Sequence, residues 1–202
     1  MRRAIDERGI ALIVVLMLTQ LLLALGLALT IAAMTETAIA GHYRAGIEAF
    51  YAAEAAAARA ARDLAEVEDW TEVASGRITS GFFDGPPGIA RYLPDGTRLD
   101  LAGEPPGRAL YASGPFRDLV PGAPFSPLYA VVWAAEGPGE GEPGEMRLDL
   151  LAQAYGPRGL CRGVQVTVAR RPGEPRVRTV FWRDQADRRP LSEDPAGADN
   201  TR

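Results

Sequence analysis

The sequence predicts an α+β protein in which a long N-terminal transmembrane helix packs on a small antiparallel β-sheet. Three observations carry this expectation. Residues 10–34, IALIVVLMLTQLLLALGLALTIAAM, run for 25 positions without a charge. Residues 35–69 contain no proline and are dense in Ala, Leu, Glu and Arg, which favour helix. Residues 128–183 hold four apolar or alternating segments separated by turns rich in Gly and Pro.

About 20 apolar residues rising 1.5 Å each cross a hydrocarbon core of about 30 Å, so the first run spans a bilayer with some tilt. It is polar only at Thr19, Gln20 and Thr30. Few globular cores can hide a helix that is apolar all round for this length. Residues 1–9, MRRAIDERG, form a short basic leader with three arginines. Positive residues beside a first hydrophobic segment stay in the cytoplasm, so a single pass with the C-terminal body outside the cytoplasm is expected. A removable secretory signal is the rival, and Ala38-Ile39-Ala40 offers a small-x-small site. Its apolar region would far exceed the usual stretch of about 7–15 residues. The helix is expected to continue outside the lipid over residues 35–70, giving about 60 residues and about 90 Å in all.

On that continuation Glu54, Arg59, Arg62, Asp63 and Glu66 sit at spacings for i, i+3 or i, i+4 ion pairs. Ala52, Ala53, Ala56, Ala57, Ala60 and Ala61 present small surfaces that let a sheet or another helix come close. Gly26, Gly41 and Gly46 mark bending or close packing. His42, the one histidine, stands without a partner motif and reads as an ordinary polar residue just outside the lipid.

Beyond Trp70 the composition changes. Ser75-Gly76 and Ser80-Gly81 stop the helical pattern, and a loop-rich region with the sheet is expected over 71–183. Brief strands are expected at 89–93, 99–101 and 109–111, and Asp95-Gly96 reads as a turn, since DGTRLD lacks the ligand spacing of a calcium loop. Longer strands are expected at 128–135, 146–155, 162–170 and 177–183; Val164, Val166 and Val168 alternate most clearly. Residues 184–202 lack a core pattern and are expected to be a disordered tail.

Composition excludes several function classes. The formal net charge is −4, from 22 basic and 26 acidic residues, without the clustered basic face that a nucleic-acid partner requires. One cysteine, Cys161, cannot make an intrachain disulfide and reads as a strand residue. The chain lacks G-x-S-x-G and H-E-x-x-H and has a single His. No catalytic, cofactor-binding or metal-ligating residue is therefore expected, and no cofactor.

Arg8-Gly9 followed by the hydrophobic run with its Leu25-Gly26 step, and then Ala49-Phe50-Tyr51-Ala52-Ala53-Glu54-Ala55-Ala56, resembles the N-terminal region of PilX-type type IV minor pilins. The resemblance covers residues 8–60. It implies a pilin-like fold, with Ala49, Phe50, Ala52, Ala53 and Glu54 as the family block. It also implies cleavage by prepilin peptidase after Gly9, making Ile10 the mature N-terminus, which is then methylated. Most pilins carry Glu as the fifth mature residue, whereas here that helix assembly position is Val14. Val14 cannot pair a neighbour's ammonium inside an apolar bundle, which leans toward a tip or initiating position. The function implied is a non-catalytic minor pilin or pseudopilin of the bacterial inner membrane, passing into an extracellular filament. Its partners would be other minor and major pilins, the inner-membrane assembly machinery, prepilin peptidase and the lipid bilayer. The alternative is a bitopic membrane-anchored protein with an extracytoplasmic sensing or adhesive domain.

Overall fold

A computed structural model describes residues 7–102, 105–119, 126–138, 144–171, 174 and 176–185. Most of the leader, and the tail from residue 186, lie outside these residues. The chain divides into two compact units, Met1–Arg44 and Ala45–Arg202. Helix α1, Glu7–Asp63, enters both.

In the first unit the described chain is all helix, and the side chains from Ile10 to Met34 are exposed on every side. Both threonine hydroxyls inside the apolar run fold back on the backbone. Thr19 Oγ1 donates to the Leu16 carbonyl at 2.8 Å, and Thr30 Oγ1 to the Gly26 carbonyl at 2.9 Å. Neither hydroxyl brings an unpaired donor to a hydrocarbon environment, where it would cost several kcal/mol (about 4–8 in the cyclohexane limit).

The second unit is built on a five-stranded antiparallel meander in the order β3-β4-β5-β6-β7. Its strands are β3 (Ala109–Pro115), β4 (Tyr129–Glu136), β5 (Met146–Gly156), β6 (Leu160–Arg170) and β7 (Arg178–Gln185). Two-residue strands β1 (Arg91–Tyr92) and β2 (Arg98–Leu99) make a separate hairpin. Short helices α2 (Trp70–Ala74) and α3 (Phe116–Leu119) complete the unit. Strand β7 includes Asp184 and Gln185, so the sheet runs into the first positions of the expected tail.

Alternation along the strands divides the apolar residues between two cores. One face joins Leu148, Leu150, Ala152, Ala154, Val164, Val166 and Val168 to Ala49, Ala52, Ala53, Ala56, Ala57 and Ala60 of α1. The other face joins Tyr129, Val131, Trp133, Leu151, Tyr155 and Cys161 to Leu93, Leu99 and Leu101 of the connecting region. Strand and helix are matched in length. Leu64 stands about 27 Å along the helix from Gly46, and Arg170 stands about 26 Å along β6 from Arg162. At one end a Cβ on Gly46 would meet the Arg162 guanidinium at 3.6 Å. At the other end Arg170 reaches the chain leaving the helix.

That far end corrects the expected helix boundary. The helix was expected to continue to residue 70, and it stops at Asp63. A 3-10 turn follows at Leu64–Glu66, Val67 is extended (φ −91°, ψ 123°), and Asp69 caps α2 by accepting from Thr71 N at 2.8 Å. The last carbonyls of a helix lack intrahelical donors. Here Arg170, buried against the Trp70 ring at 5.1 Å, donates to the carbonyls of Leu64, Ala65, Val67 and Glu68, and Trp70 Nε1 donates to Leu64. Tertiary donors outweigh the helix propensity of LAEVEDW, which amounts to a few tenths of a kcal/mol per residue.

Candidate functional site

The positions singled out by sequence fall in the two units and are described separately. In the first, Gly9 and Ile10 lie in helical backbone, and Val14 is exposed at 49% amid exposed Ile, Leu and Met. The mean hydropathy of the 18-residue window is 2.7, and none of it is buried. One helix in the described chain is thus long and apolar enough to cross a membrane. His42 and Tyr43 follow, both exposed.

In the second unit, helical periodicity sorts the family block onto two sides of α1. Ala49, Ala52 and Ala53 are fully buried against the chain's own sheet. The face of Leu148, Leu150, Val164, Val166 and Val168 can approach because the alanines carry no Cγ. Phe50, Tyr51 and Glu54 stand at the margin of that contact. The Phe50 ring meets Trp182 of β7 edge-on at 6.1 Å and Tyr51 at 5.6 Å. Between helix and edge strand runs a groove of about 450 Å³ lined by Tyr51, Glu54, Ala55, Ala58, Thr179 and Trp182, among others. Of the expected ion pairs on this helix, Arg59 and Asp63 meet at 2.8 Å, and Asp63 also accepts from Ser80 Oγ.

Three arrangements escaped the sequence reading. Strand β7 leaves Val180, Phe181 and Trp182 about half exposed, and its run of three apolar residues in RTVFWR carried a signal for this. Asp149, buried on the outer face of β5, accepts from Arg108, Gln165 and Thr167. Asp84 accepts from Arg91, Tyr129 Oη and Ser113 Oγ, while Arg91 also donates to the Gly85, Pro86 and Ile89 carbonyls. Burial pushes the Asp84 carboxyl up, but the hydrogen bonds from Arg91, Tyr129 and Ser113 outweigh it and hold it below the usual carboxylate range. Burial and the adjacent carboxylate push the Tyr129 hydroxyl up, so it remains a donor. Neither carboxylate cluster has a signature in the sequence, because its members come from loops and strands far apart in the chain.

Asp95 and Asp100 are occupied by turn amides, as an Asp-Gly turn requires. Asp95 accepts from Thr97 N and, across the fold, from Arg158 N; Asp100 accepts from Ala102 N. Cys161 lies buried in β6 opposite Tyr155.

A family model described as PilX N-terminal matches residues 8–58, which takes in the apolar run and the whole of the family block. This quarter of the chain is similar to the N-terminal region of PilX-type pilins. No curated protein and no solved structure matches the chain.

Proposed function

We propose that a chain carrying a PilX-type N-terminal region on this helix-and-sheet body is a non-catalytic minor pilin or pseudopilin. It takes part in initiation or tip assembly of a type IV pilus or related filament. The observation that carries the reading is the coincidence of the family match at 8–58 with an exposed, charge-free helical run and an alanine face consumed by the chain's own sheet. Residues 10–34 hold the subunit in the inner membrane with its body outside the cytoplasm. Prepilin peptidase cuts between Gly9 and Ile10, and the new amine is methylated. Gly9 suits a protease cleft because the backbone without a Cβ lies close to the enzyme. On extraction, the apolar helix exchanges lipid contacts for contacts with other minor and major pilins.

N-terminal mapping of the membrane-bound chain tests this. With prepilin peptidase present, the mature protein begins at Ile10, and Gly9→Phe leaves the longer precursor. An unchanged mature mass in a strain without the peptidase points to the membrane-anchored sensor or adhesin instead. A chain beginning at Gly41 marks ordinary signal-peptidase cleavage, which would have to open helix α1 at Ala38-Ile39-Ala40.

A further inference from the structure

We propose that residues 83–102 form a flap that lifts from the outer face of the sheet while the helix-covered core stays folded, with Asp84 as its clasp. This inference is independent of the pilin reading. The two faces of the sheet carry separate apolar clusters, and Leu93, Leu99 and Leu101 belong only to the outer one. The flap has little regular structure of its own, two strands of two residues each. Its tip is closed by local bonds, Leu93 N to the Thr97 carbonyl at 2.9 Å and Gly96 N to the Leu93 carbonyl at 2.9 Å. Lifting does not break these bonds.

The ties that lifting must break are few. At the root, Asp84 N donates to the Ser113 carbonyl at 3.0 Å, while Phe82, whose carbonyl accepts from Ser113 N, stays packed on the helix-side core and marks the hinge. Beside them the Asp84 carboxylate gathers Ser113 Oγ and Tyr129 Oη from the sheet and Arg91 from the flap. At the tip, Asp95 accepts from Arg158 N at 3.0 Å in the β5–β6 turn. Arg91 Nε also donates to Tyr129 Oη at 2.6 Å, so the clasp is the Asp84–Arg91 pair joining flap to sheet, and loss of the carboxylate would leave the 6%-exposed Arg91 guanidinium without its counter-charge. Besides these ties the apolar contact of Leu93, Leu99 and Leu101 holds the flap, and a region with so little regular structure opens locally at lower free energy than the whole molecule. Beneath the flap lies an apolar sheet face, including Trp133, Leu151 and the chain's one cysteine, Cys161, which is 6% exposed. Closed, the flap masks that face.

The single thiol reports the opening. The full chain in detergent micelles is alkylated with iodoacetamide across a urea series, with Trp fluorescence following global unfolding. A liftable flap gives a labelling rate whose dependence on urea is less than half that of global unfolding, because only the flap's surface is exposed. Asp84→Asn raises the rate about tenfold or more at the same shallow slope, and the global midpoint falls with it, because the closed state from which both openings start has lost the clasp. A labelling slope equal to that of global unfolding overturns the proposal, as does an Asp84→Asn rate equal to wild type. If Asp84→Asn fails to fold, the wild-type slope alone decides.

Discussion

Arg170 holds the turn that leaves the long helix, with bonds to the carbonyls of Leu64, Ala65, Val67 and Glu68 and a contact over the Trp70 ring. Arg170→Met keeps the buried stem but orphans those carbonyls, and should cost about 2–3 kcal/mol. Urea denaturation of the full chain in micelles measures it, and an unchanged midpoint would show that water replaces the guanidinium. Asp84 predicts a pH dependence. Its carboxyl is held below the unfolded-state value of about 3.9, so the native state binds the proton less well. Its contribution is therefore present above that value and lost as pH falls through the lower folded value. Stability should fall on acidification below about pH 4, and the difference between wild type and Asp84→Asn should shrink there, since Asn has no proton to gain. Val14 makes a third case. If the missing carboxylate keeps the subunit out of the filament shaft, Val14→Glu should raise its share of sheared filaments several-fold by quantitative mass spectrometry. An unchanged share would separate abundance from this position.

Elements whose neighbours are regular were legible, and elements held by single tertiary contacts were not. The alternation at Val164, Val166 and Val168 marks β6 because the side under α1 carries valines, whereas the other side, though largely buried, carries Gly163, Gln165 and Thr167. Short strands β1 and β2 carried almost no period, and β3 was extended from its expected three residues to Ala109–Pro115 by a bulge at Tyr111 and a Gly114 that admits the Phe82 ring. A Cβ on Gly114 would stand 2.8 Å from that ring. The end of α1 could not be read, since Arg170 lies more than 100 residues away in sequence. The alanine face was readable as a close-packing surface, and its expected partner, the face of Val164, Val166 and Val168, is the one it meets. Ala56 is 1% exposed within the core shared with those valines. Ala56→Trp should overpack it by about 1–3 kcal/mol and increase protease sensitivity of the full chain. Ala58→Trp, on the exposed side, should leave resistance unaltered.

For the molecule as a whole, the division of labour is between an exposed apolar helix and a body whose own sheet uses up the alanine face. Under the proposed role the subunit is scarce. Deletion should reduce the number of filaments per cell more than their length, and copy number should lie far below that of the major pilin. Abundance matching the major pilin would refute the tip assignment, and normal filaments in the deletion strain would favour the sensor or adhesin. The sequence carried the membrane span and the family block because both are written in contiguous residues. The Asp84 and Asp149 clusters are written only in three dimensions.

Strand β7 has a further consequence for how such a body survives beside its own kind. Among the described residues it pairs with β6 alone, and Val180, Phe181 and Trp182 make a half-exposed apolar run along it. Such an edge is a template for fibre growth when many chains are concentrated on one membrane. Two devices oppose this. The register with β6 slips between Thr167 and Val168, leaving Val180 as the extra residue of a bulge, and Arg178, Arg183 and Asp184 flank the apolar run with charge. Straight, uncharged strand addition is blocked at both ends. Replacing Arg183 and Asp184 together by valine should leave the fold in place and convert a dispersed protein into one that pellets from detergent and binds thioflavin. The charges of β7 thus act as gatekeepers against self-templating.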